Sequence, residues 1–143
     1  MIPTTQCLKV AELRKRYGND INLRIWMENP ANMYVGRKGR IFITVGGESE
    51  IFHYPGSVWA NPYKLDQTGV PEIVMNGEIE DIKKSRYTTR ESLLRYEEYV
   101  RRNLWNRLNE LDGRTLGCFC KQGEVERCHA QVLVRLWREK NGL

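Results

Sequence analysis

The strongest constraint on the fold is a change of hydrophobic pattern in the C-terminal part of the chain. From 89 to 111, apolar side chains recur every three or four residues, which is typical of an amphipathic helix. Residues 114–120 then form an apolar run without alternation, as in a strand buried on both faces. A second helical pattern runs from Cys128 to Lys140. Two helices and a buried strand must share a core, so we expect a single compact α/β (or α+β) domain.

The middle of the chain predicts short strands and one hairpin. Residues 41–45 are β-branched and aromatic, and residues 51–54 repeat that character after Gly46-Gly47. Two such runs around a glycine pair are typical of a β-hairpin. Residues 33–35 form another short apolar run, which indicates a buried strand. We therefore expect a small mixed sheet with a β-hairpin, packed by the long helix and the C-terminal helix.

The N-terminal segment predicts two short helices. Thr4 or Thr5 is placed to cap a helix over 8–17, whose apolar positions precede a basic cluster. Asp20 is placed to cap a second helix. A strand over 21–27 fits that second segment almost equally well, because a short apolar run does not distinguish the helical repeat from the two-residue repeat of a strand.

Charge divides the chain into three parts. Residues 1–46 carry 8 basic and 3 acidic side chains, residues 47–82 carry 1 and 7, and residues 83–143 carry 14 and 8. The net charge of +5 therefore hides an acidic segment between two basic flanks. Glycine, proline and acidic residues concentrate over about 65–86, which we expect to be a mobile loop able to contact a basic protein partner.

Hydropathy and cysteine spacing both bear on where the protein works. No stretch approaches the roughly 18 uncharged apolar residues that a membrane-spanning helix needs. The first residues lack the basic-then-apolar layout of a secretory signal. Three of the four cysteines lie within eleven residues, whereas a disulfide scaffold joins distant segments. We expect an intracellular protein in a reducing compartment, in the cytoplasm, the nucleus or a virion, with no membrane contact.

The most informative segment places Cys118 and Cys120 at the end of the buried strand and Cys128 and His129 at the start of the last helix. Residues two apart on a strand project from one face. The N–H groups at a helix start favour a thiolate. Three sulfurs and an imidazole are therefore expected to converge.

Three interpretations of this cluster stay open. In the first, the cluster is a Cys₃His zinc site formed by Cys118, Cys120, Cys128 and His129. The C-x-C spacing and two ligands adjacent in sequence both depart from the usual zinc spacing. Alternatively, Cys128 or Cys120 is a catalytic thiolate, with His129 as its base. In the third interpretation the cysteines are small core residues and His129 only closes a turn.

A second constellation combines a basic turn with an aromatic one. A basic turn flanked by glycines, over 36–40, can hold a phosphate, and a neighbouring aromatic segment, 59–64, can stack on a base. An ordinary surface turn and a core tryptophan are the alternative. The candidate ligand-binding residues are Arg37, Lys38, Arg40, Trp59, Asn61 and Lys64.

Taken together, these motifs resemble an uncharacterised domain family of bacteria, their phages and large DNA viruses. The family pattern is YVGR, W-NPF, LGCWC and CHG, and the resemblance covers residues 33–139. Residues 1–32 resemble a helical extension of the large-virus versions, which implies a viral member with its α/β domain over 33–143. The chain departs from the pattern in a longer loop at 121–127 and in Ala130-Gln131, where the family has Gly-Asp. The resemblance implies no particular activity.

We therefore expect a small basic protein that binds nucleic acid or a nucleotide through a basic and aromatic cleft next to the cysteine–histidine cluster. One alternative is a thiolate-dependent enzyme acting on a nucleotide or nucleobase. Another is a virion or protein-interaction component without catalysis, in which the acidic loop contacts the partner.

Overall fold

A three-stranded parallel sheet forms the centre of the computed structural model, which describes residues 1–63, 87–119 and 128–143. Its strands are β1 (Thr4–Cys7), β5 (Thr115–Cys118) and β2 (Asn32–Tyr34), which lie side by side in that order, so β5 is central. It pairs in parallel with both neighbours, which places Cys118 opposite Cys7 and Gly117 opposite Tyr34.

Within the described ranges, a hairpin and four α-helices surround this sheet. The hairpin is a separate antiparallel sheet of β3 (Gly39–Val45) and β4 (Glu48–Tyr54). The helices are α1 (Val10–Tyr17), α2 (Leu23–Glu28), α3 (Thr89–Asn103) and α4 (His129–Lys140), and a 3₁₀-helix spans Trp105–Leu111. The predicted mixed α/β class is confirmed.

Both faces of β5 are covered, as its uninterrupted apolar run predicts. Leu116 and Cys118 belong to the larger core, which α3, the 3₁₀-helix and α4 share. Gly117 faces the other way, against Trp26 and Leu8 of the smaller core beneath α1 and α2. The central strand therefore joins two hydrophobic cores, one on each side of the sheet.

The prediction for the first residues is wrong in one respect. Thr4 and Thr5 do not cap a helix, because they lie in β1 and pair with Thr115 and Leu116. Helix α1 begins only at Val10, and its N-cap residue Lys9 makes no side-chain capping bond. The local sequence favours a cap, but the open edge of β5 offers backbone hydrogen bonds to residues 4–7.

The second short segment is a helix, so the alternative strand over 21–27 is wrong. The cap is Asn22 rather than Asp20, because the Asn22 side chain accepts a hydrogen bond from the N–H of Ile25 at 2.9 Å. The predicted extension over 1–32 thus contains a strand as well as two helices. Its boundary at residue 32 stays a prediction.

The long helix begins where predicted and ends earlier. Thr88 caps it, accepting from the N–H of Glu91 at 3.2 Å. The α-helix ends at Asn103, and the chain continues as a 3₁₀-helix. With three residues per turn, the 3₁₀-helix keeps Leu108 and Leu111 on the same buried side. The apolar stripe therefore continues although the helix type changes.

Two predicted loops lie wholly outside the described residues. The acidic loop expected over 65–86 is one, and the loop at 121–127 is the other. Within the described ranges, no helix is long and apolar enough to cross a membrane. The intracellular location stays a prediction.

Candidate functional site

A cleft of about 390 Å³ opens where β2 and β5 end. Its walls come from the turn after β2, the residues just beyond β5, the first turn of α3 and the first residue of α4. In open α/β sheets, ligands bind outside the carboxyl ends of parallel strands, because the connecting loops and helix N-termini converge there. The topology of β1, β5 and β2 places this cleft at such an edge.

The basic turn forms one wall of the cleft. Arg37 and Lys38 line it and are both exposed. The Tyr34 hydroxyl donates to the Arg37 carbonyl at 2.5 Å, and the Arg37 Nε–H donates to the Asn61 carbonyl at 2.9 Å. These bonds fix the turn and one edge of the guanidinium. Among the described residues no carboxylate lines the cleft, so its charge there is positive.

Asn61 fixes the segment opposite the basic turn. Its amide donates to Ser92 Oγ at 2.8 Å, and its side-chain oxygen accepts from the N–H of Tyr63 at 2.9 Å. Ser92 in turn donates to the Tyr63 carbonyl at 2.7 Å. Because Ser92 is fully buried on α3, this network attaches the segment before residue 64 to the helix. Asn61 therefore positions Arg37 through its backbone carbonyl, while its side chain bonds to Ser92 and to the N–H of Tyr63.

Four aromatic rings also line the cleft. Tyr34 and Tyr54 meet edge to face at 5.2 Å between ring centres, and Phe119 lies 5.9 Å from Tyr54. Tyr63 lines the opposite side. All four rings are half-buried, so each presents part of its surface to the cleft. Such surfaces can stack on a planar ligand.

The cysteine–histidine cluster lies at the inner end of the cleft. One ligand atom from each of Cys118, Cys128 and His129 lies within 4.8 Å of the other two. All three side chains are buried. Cys118 and His129 line the cleft, whereas Cys128 is not part of its lining. These residues can hold a metal ion between the end of β5 and the start of α4.

The N-terminus of α4 organises the cluster. Cys128 is the N-cap residue, and its backbone N–H donates to the Gln131 side-chain oxygen at 3.1 Å. Its sulfur faces the backbone N–H of Gln131 in the reciprocal half of this capping box. Gln131 therefore has a structural role at the position where the family pattern has an acid. Cys128 is fully buried, so a substrate in the cleft does not reach its sulfur in this conformation.

The structure brings six of the ten predicted site residues together and places two elsewhere, and the other two are not among the described residues. Trp59 is only 1% exposed and lies in the larger core, so it does not stack on a ligand here. Arg40 is exposed on β3, outside the cleft lining. Cys120 and Lys64 lie outside the described residues.

Sequence reasoning missed several cleft residues. Ser92, Phe119 and Tyr54 line the cleft, but none belongs to the predicted ligand-binding set. Ser92 interrupts the otherwise apolar buried face of α3, and that anomaly is the signal that could have identified it. Phe119 and Tyr54 carry no comparable signal, because aromatic residues at strand ends usually serve packing.

Comparison with known proteins identifies the family. A family model described as Domain of unknown function (DUF4326) matches residues 21–139, which include β2, β5, α3 and nearly all of α4. No curated protein and no solved structure matches the chain. The expectation of an uncharacterised family is confirmed, while membership of a viral branch stays a prediction. On the strength of this match, the chain belongs to the family described as Domain of unknown function (DUF4326).

Proposed function

We propose that the protein binds a nucleotide, either free or as one unit of a nucleic acid, in the cleft at the ends of β2 and β5. The observation that carries this proposal is the meeting of the Arg37–Lys38 turn with four aromatic rings and no described carboxylate in the same lining. Two cations suit a phosphate, and the rings suit a base. The cleft volume of about 390 Å³ is within the range of small-ligand sites.

The phosphate is expected near Arg37 and Lys38. The Arg37 Nε–H is held by the Asn61 carbonyl, which leaves the terminal nitrogens of the guanidinium directed to other partners. Thr89 and Ser92, from the first turn of α3, line the same cleft. The positive end of the α3 dipole therefore adds to the field of the two cations.

The base is expected against the aromatic wall of Tyr34, Tyr54 and Phe119. Stacking on aromatic side chains contributes about 1–3 kcal/mol per base and tolerates any base, because every base has a π-face. We therefore expect modest discrimination among bases and a clear preference for ligands that carry both a base and a phosphate. Duplex DNA hides its bases in the stack, so single-stranded nucleic acid is the expected polymeric ligand.

The binding experiment compares three substitutions, each of which removes one positive charge. Binding of a labelled mononucleotide and of a short single strand is measured by fluorescence anisotropy with wild type, Arg37→Ala, Lys38→Ala and Arg40→Ala. Arg40 is the matched control, because it is an exposed arginine next to the turn but outside the cleft lining. We expect the first two variants to lose about tenfold in affinity, equivalent to about 1.4 kcal/mol. We expect Arg40→Ala to change affinity by less than about twofold.

Salt dependence and ligand parts complete the test. Phosphate contacts make the affinity fall as salt rises, and the fall should be shallower in Arg37→Ala. Inorganic phosphate and a nucleoside alone should each bind more weakly than the nucleotide. Equal losses in Arg37→Ala and Arg40→Ala, or no binding at low salt, would contradict the proposal.

The two alternative functions stay predictions. The thiolate enzyme depends on Cys128, which is buried behind the cleft, or on Cys120, which lies outside the described residues. The protein-interaction alternative depends on the acidic loop over 65–86, which also lies outside them. No described contact favours either over binding in the cleft.

A further inference from the structure

We propose that Cys118, Cys128 and His129 bind one zinc ion through three protein ligands, and that the fourth coordination position opens into the cleft. The two sulfurs and one ring nitrogen of His129 lie within 4.8 Å of one another. With Zn–S near 2.3 Å and Zn–N near 2.0 Å, tetrahedral ligand atoms are about 3.5–3.8 Å apart. A contraction of about 1 Å, within reach of side-chain rotation, therefore closes the site around a metal. This proposal does not rest on nucleotide binding.

The orientation of His129 supports a metal on one particular nitrogen. Its Nε2 lies 2.5 Å from the carbonyl oxygen of Val35, and a carbonyl only accepts, so Nε2 carries the proton. The lone pair is then on Nδ1. Metal-binding histidines characteristically donate their second ring N–H to a carbonyl or carboxylate, which fixes the tautomer and the ring plane. Val35 supplies that partner from the residue directly after β2.

Cys128 is placed where a metal-bound sulfur would be stabilised. Its sulfur lies at the N-cap of α4 and faces the backbone N–H of Gln131. Peptide N–H groups and the positive end of a helix dipole both stabilise a sulfur anion. Cys118 lies at the end of β5, with its side chain only 1% exposed. Two thiolates and one neutral imidazole balance the charge of Zn²⁺. The metal-loaded site would therefore carry no net charge, so its burial would carry little electrostatic cost.

The donor set points to zinc among the common metals. Thiolate and imidazole ligands suit zinc, whereas magnesium and calcium require oxygen donors. Three protein ligands with one exchangeable position are typical of catalytic zinc, while structural zinc has four protein ligands. Cys118 and His129 line the cleft and Cys128 is enclosed by core, so within the described part of the chain the cleft is the open space beside the cluster. The fourth position would hold water, or an oxygen of a ligand bound there.

Metal content and ligand identity are tested on the full chain. Purified protein is analysed for zinc, and Co²⁺ is then exchanged into the site, since Co²⁺ reports thiolate ligation and tetrahedral geometry in its absorption spectrum. We expect one metal per chain in wild type and loss of the Co²⁺ spectrum in Cys118→Ser, Cys128→Ser and His129→Gln. Cys7→Ser is the matched control, because Cys7 pairs with Cys118 across the sheet but is not part of the cluster. It should keep the full spectrum.

Folding and metal binding are separated by a thermal measurement. Zinc should raise the melting temperature of wild type and of Cys7→Ser, because a ligand that binds only the folded state stabilises it. It should leave the melting temperature of a folded His129→Gln unchanged. Less than stoichiometric metal together with no thermal shift would overturn the site, and so would loss of the spectrum in Cys7→Ser.

The open position is tested with azide and with Cys120→Ser. Azide should change the ligand-field bands of the Co²⁺ protein if an exchangeable position faces the cleft. Cys120→Ser should keep the intensity of two thiolates. A fall in thiolate intensity in that variant, with no effect of azide, would show a closed four-ligand site and overturn the open position. Arg37→Ala should leave every metal readout unchanged, so a failure of nucleotide binding is distinguishable from a failure of the metal site.

Discussion

The Nε2 atom of the His129 imidazole lies 2.5 Å from the carbonyl oxygen of Val35. This contact joins the first residue of α4 to the residue that follows β2. Tyr96 on α3 packs its ring edge to face against the same imidazole, with 5.2 Å between ring centres. Three elements far apart in the chain therefore meet at one side chain, at the inner end of the cleft.

Replacing His129 by alanine should destabilise the metal-free protein. The Val35 carbonyl would lose its buried donor, and an unsatisfied buried polar group costs about 1–3 kcal/mol. His53→Ala is the matched control, because His53 is exposed on β4 and should change stability by less than about 0.5 kcal/mol. Urea unfolding in the presence of a chelator measures both. Equal effects of the two substitutions would show that the Val35 contact contributes nothing.

Replacing Gly117 by alanine should disturb the sheet–helix contact on the side of the smaller core. A Cβ at this position would overlap the Trp26 ring and lie 2.8 Å from the Leu8 methyl groups. Overpacking of this kind costs about 1–3 kcal/mol. The clash involves the outer carbon of the indole ring, which phenylalanine lacks, so the cost should be smaller in a Trp26→Phe background. A double-mutant cycle by urea unfolding checks this, and strict additivity would mean that the ring is not the obstacle.

Replacing Ser92 by alanine should loosen the segment that holds Arg37. The substitution removes the acceptor of the Asn61 amide and the donor to the Tyr63 carbonyl, at a cost of about 1–3 kcal/mol. Because Asn61 also accepts from Arg37, we expect weaker nucleotide binding as well as lower stability. Ser49→Ala, on the exposed hairpin, is the control and should affect neither. Unchanged stability in Ser92→Ala would contradict the network's role.

Stability at acid pH should depend on Glu97. Hydrogen bonds from Arg135 and from Arg101 hold the pKa of Glu97 below its ordinary value of 4.5, against the opposite effect of partial burial. A carboxyl with a lowered pKa contributes stability above its unfolded value and loses it as the pH falls through the folded value. The contribution is therefore present at neutral pH and is lost below about pH 4.5.

The test compares Glu97→Gln with wild type across pH. We expect Glu97→Gln to be less stable by about 0.5–1 kcal/mol at pH 7, since the pairs are partly exposed, and the difference to vanish at acid pH. Glu98→Gln is the control, because Glu98 forms an ion pair with Arg102 in which both side chains are more exposed than Glu97. Thermal unfolding from pH 3 to pH 7 measures both. A difference that stays constant over this range would rule out the ion pairs as its cause.

The elements that the sequence predicted well are those set by local signals. Helix α3 has a capping threonine and a regular apolar stripe, and both act within a few residues. The hairpin follows from two β-branched runs around Gly46 and Gly47, whose φ angles are positive, as such a turn requires. The burial of β5 follows from its uninterrupted apolar run, and only a central strand satisfies that pattern.

The features that sequence reasoning missed depend on distant partners. Thr4 and Thr115 are 111 positions apart, and only the closed sheet shows that residues 4–7 complete the edge of β5 instead of capping a helix. The sequence left Trp59 open between a stacking residue and a core tryptophan, and only its burial places it in the core, where its carbonyl accepts from the Tyr96 hydroxyl at 2.6 Å. Local sequence does not distinguish these outcomes, because the competing backbone and apolar partners are supplied from elsewhere.

By itself, the sequence determined the mixed α/β class, the buried central strand, the N-cap of the long helix and the residue types that can carry chemistry. Only the tertiary structure decided which of them meet. The parallel pairing of β5 with β1 and β2 brings the Arg37 turn, the Asn61 segment and the Cys118–His129 cluster to one edge. The reason is physical: periodicity and capping act over a few residues, whereas strand pairing and core burial are satisfied between segments that the chain separates widely.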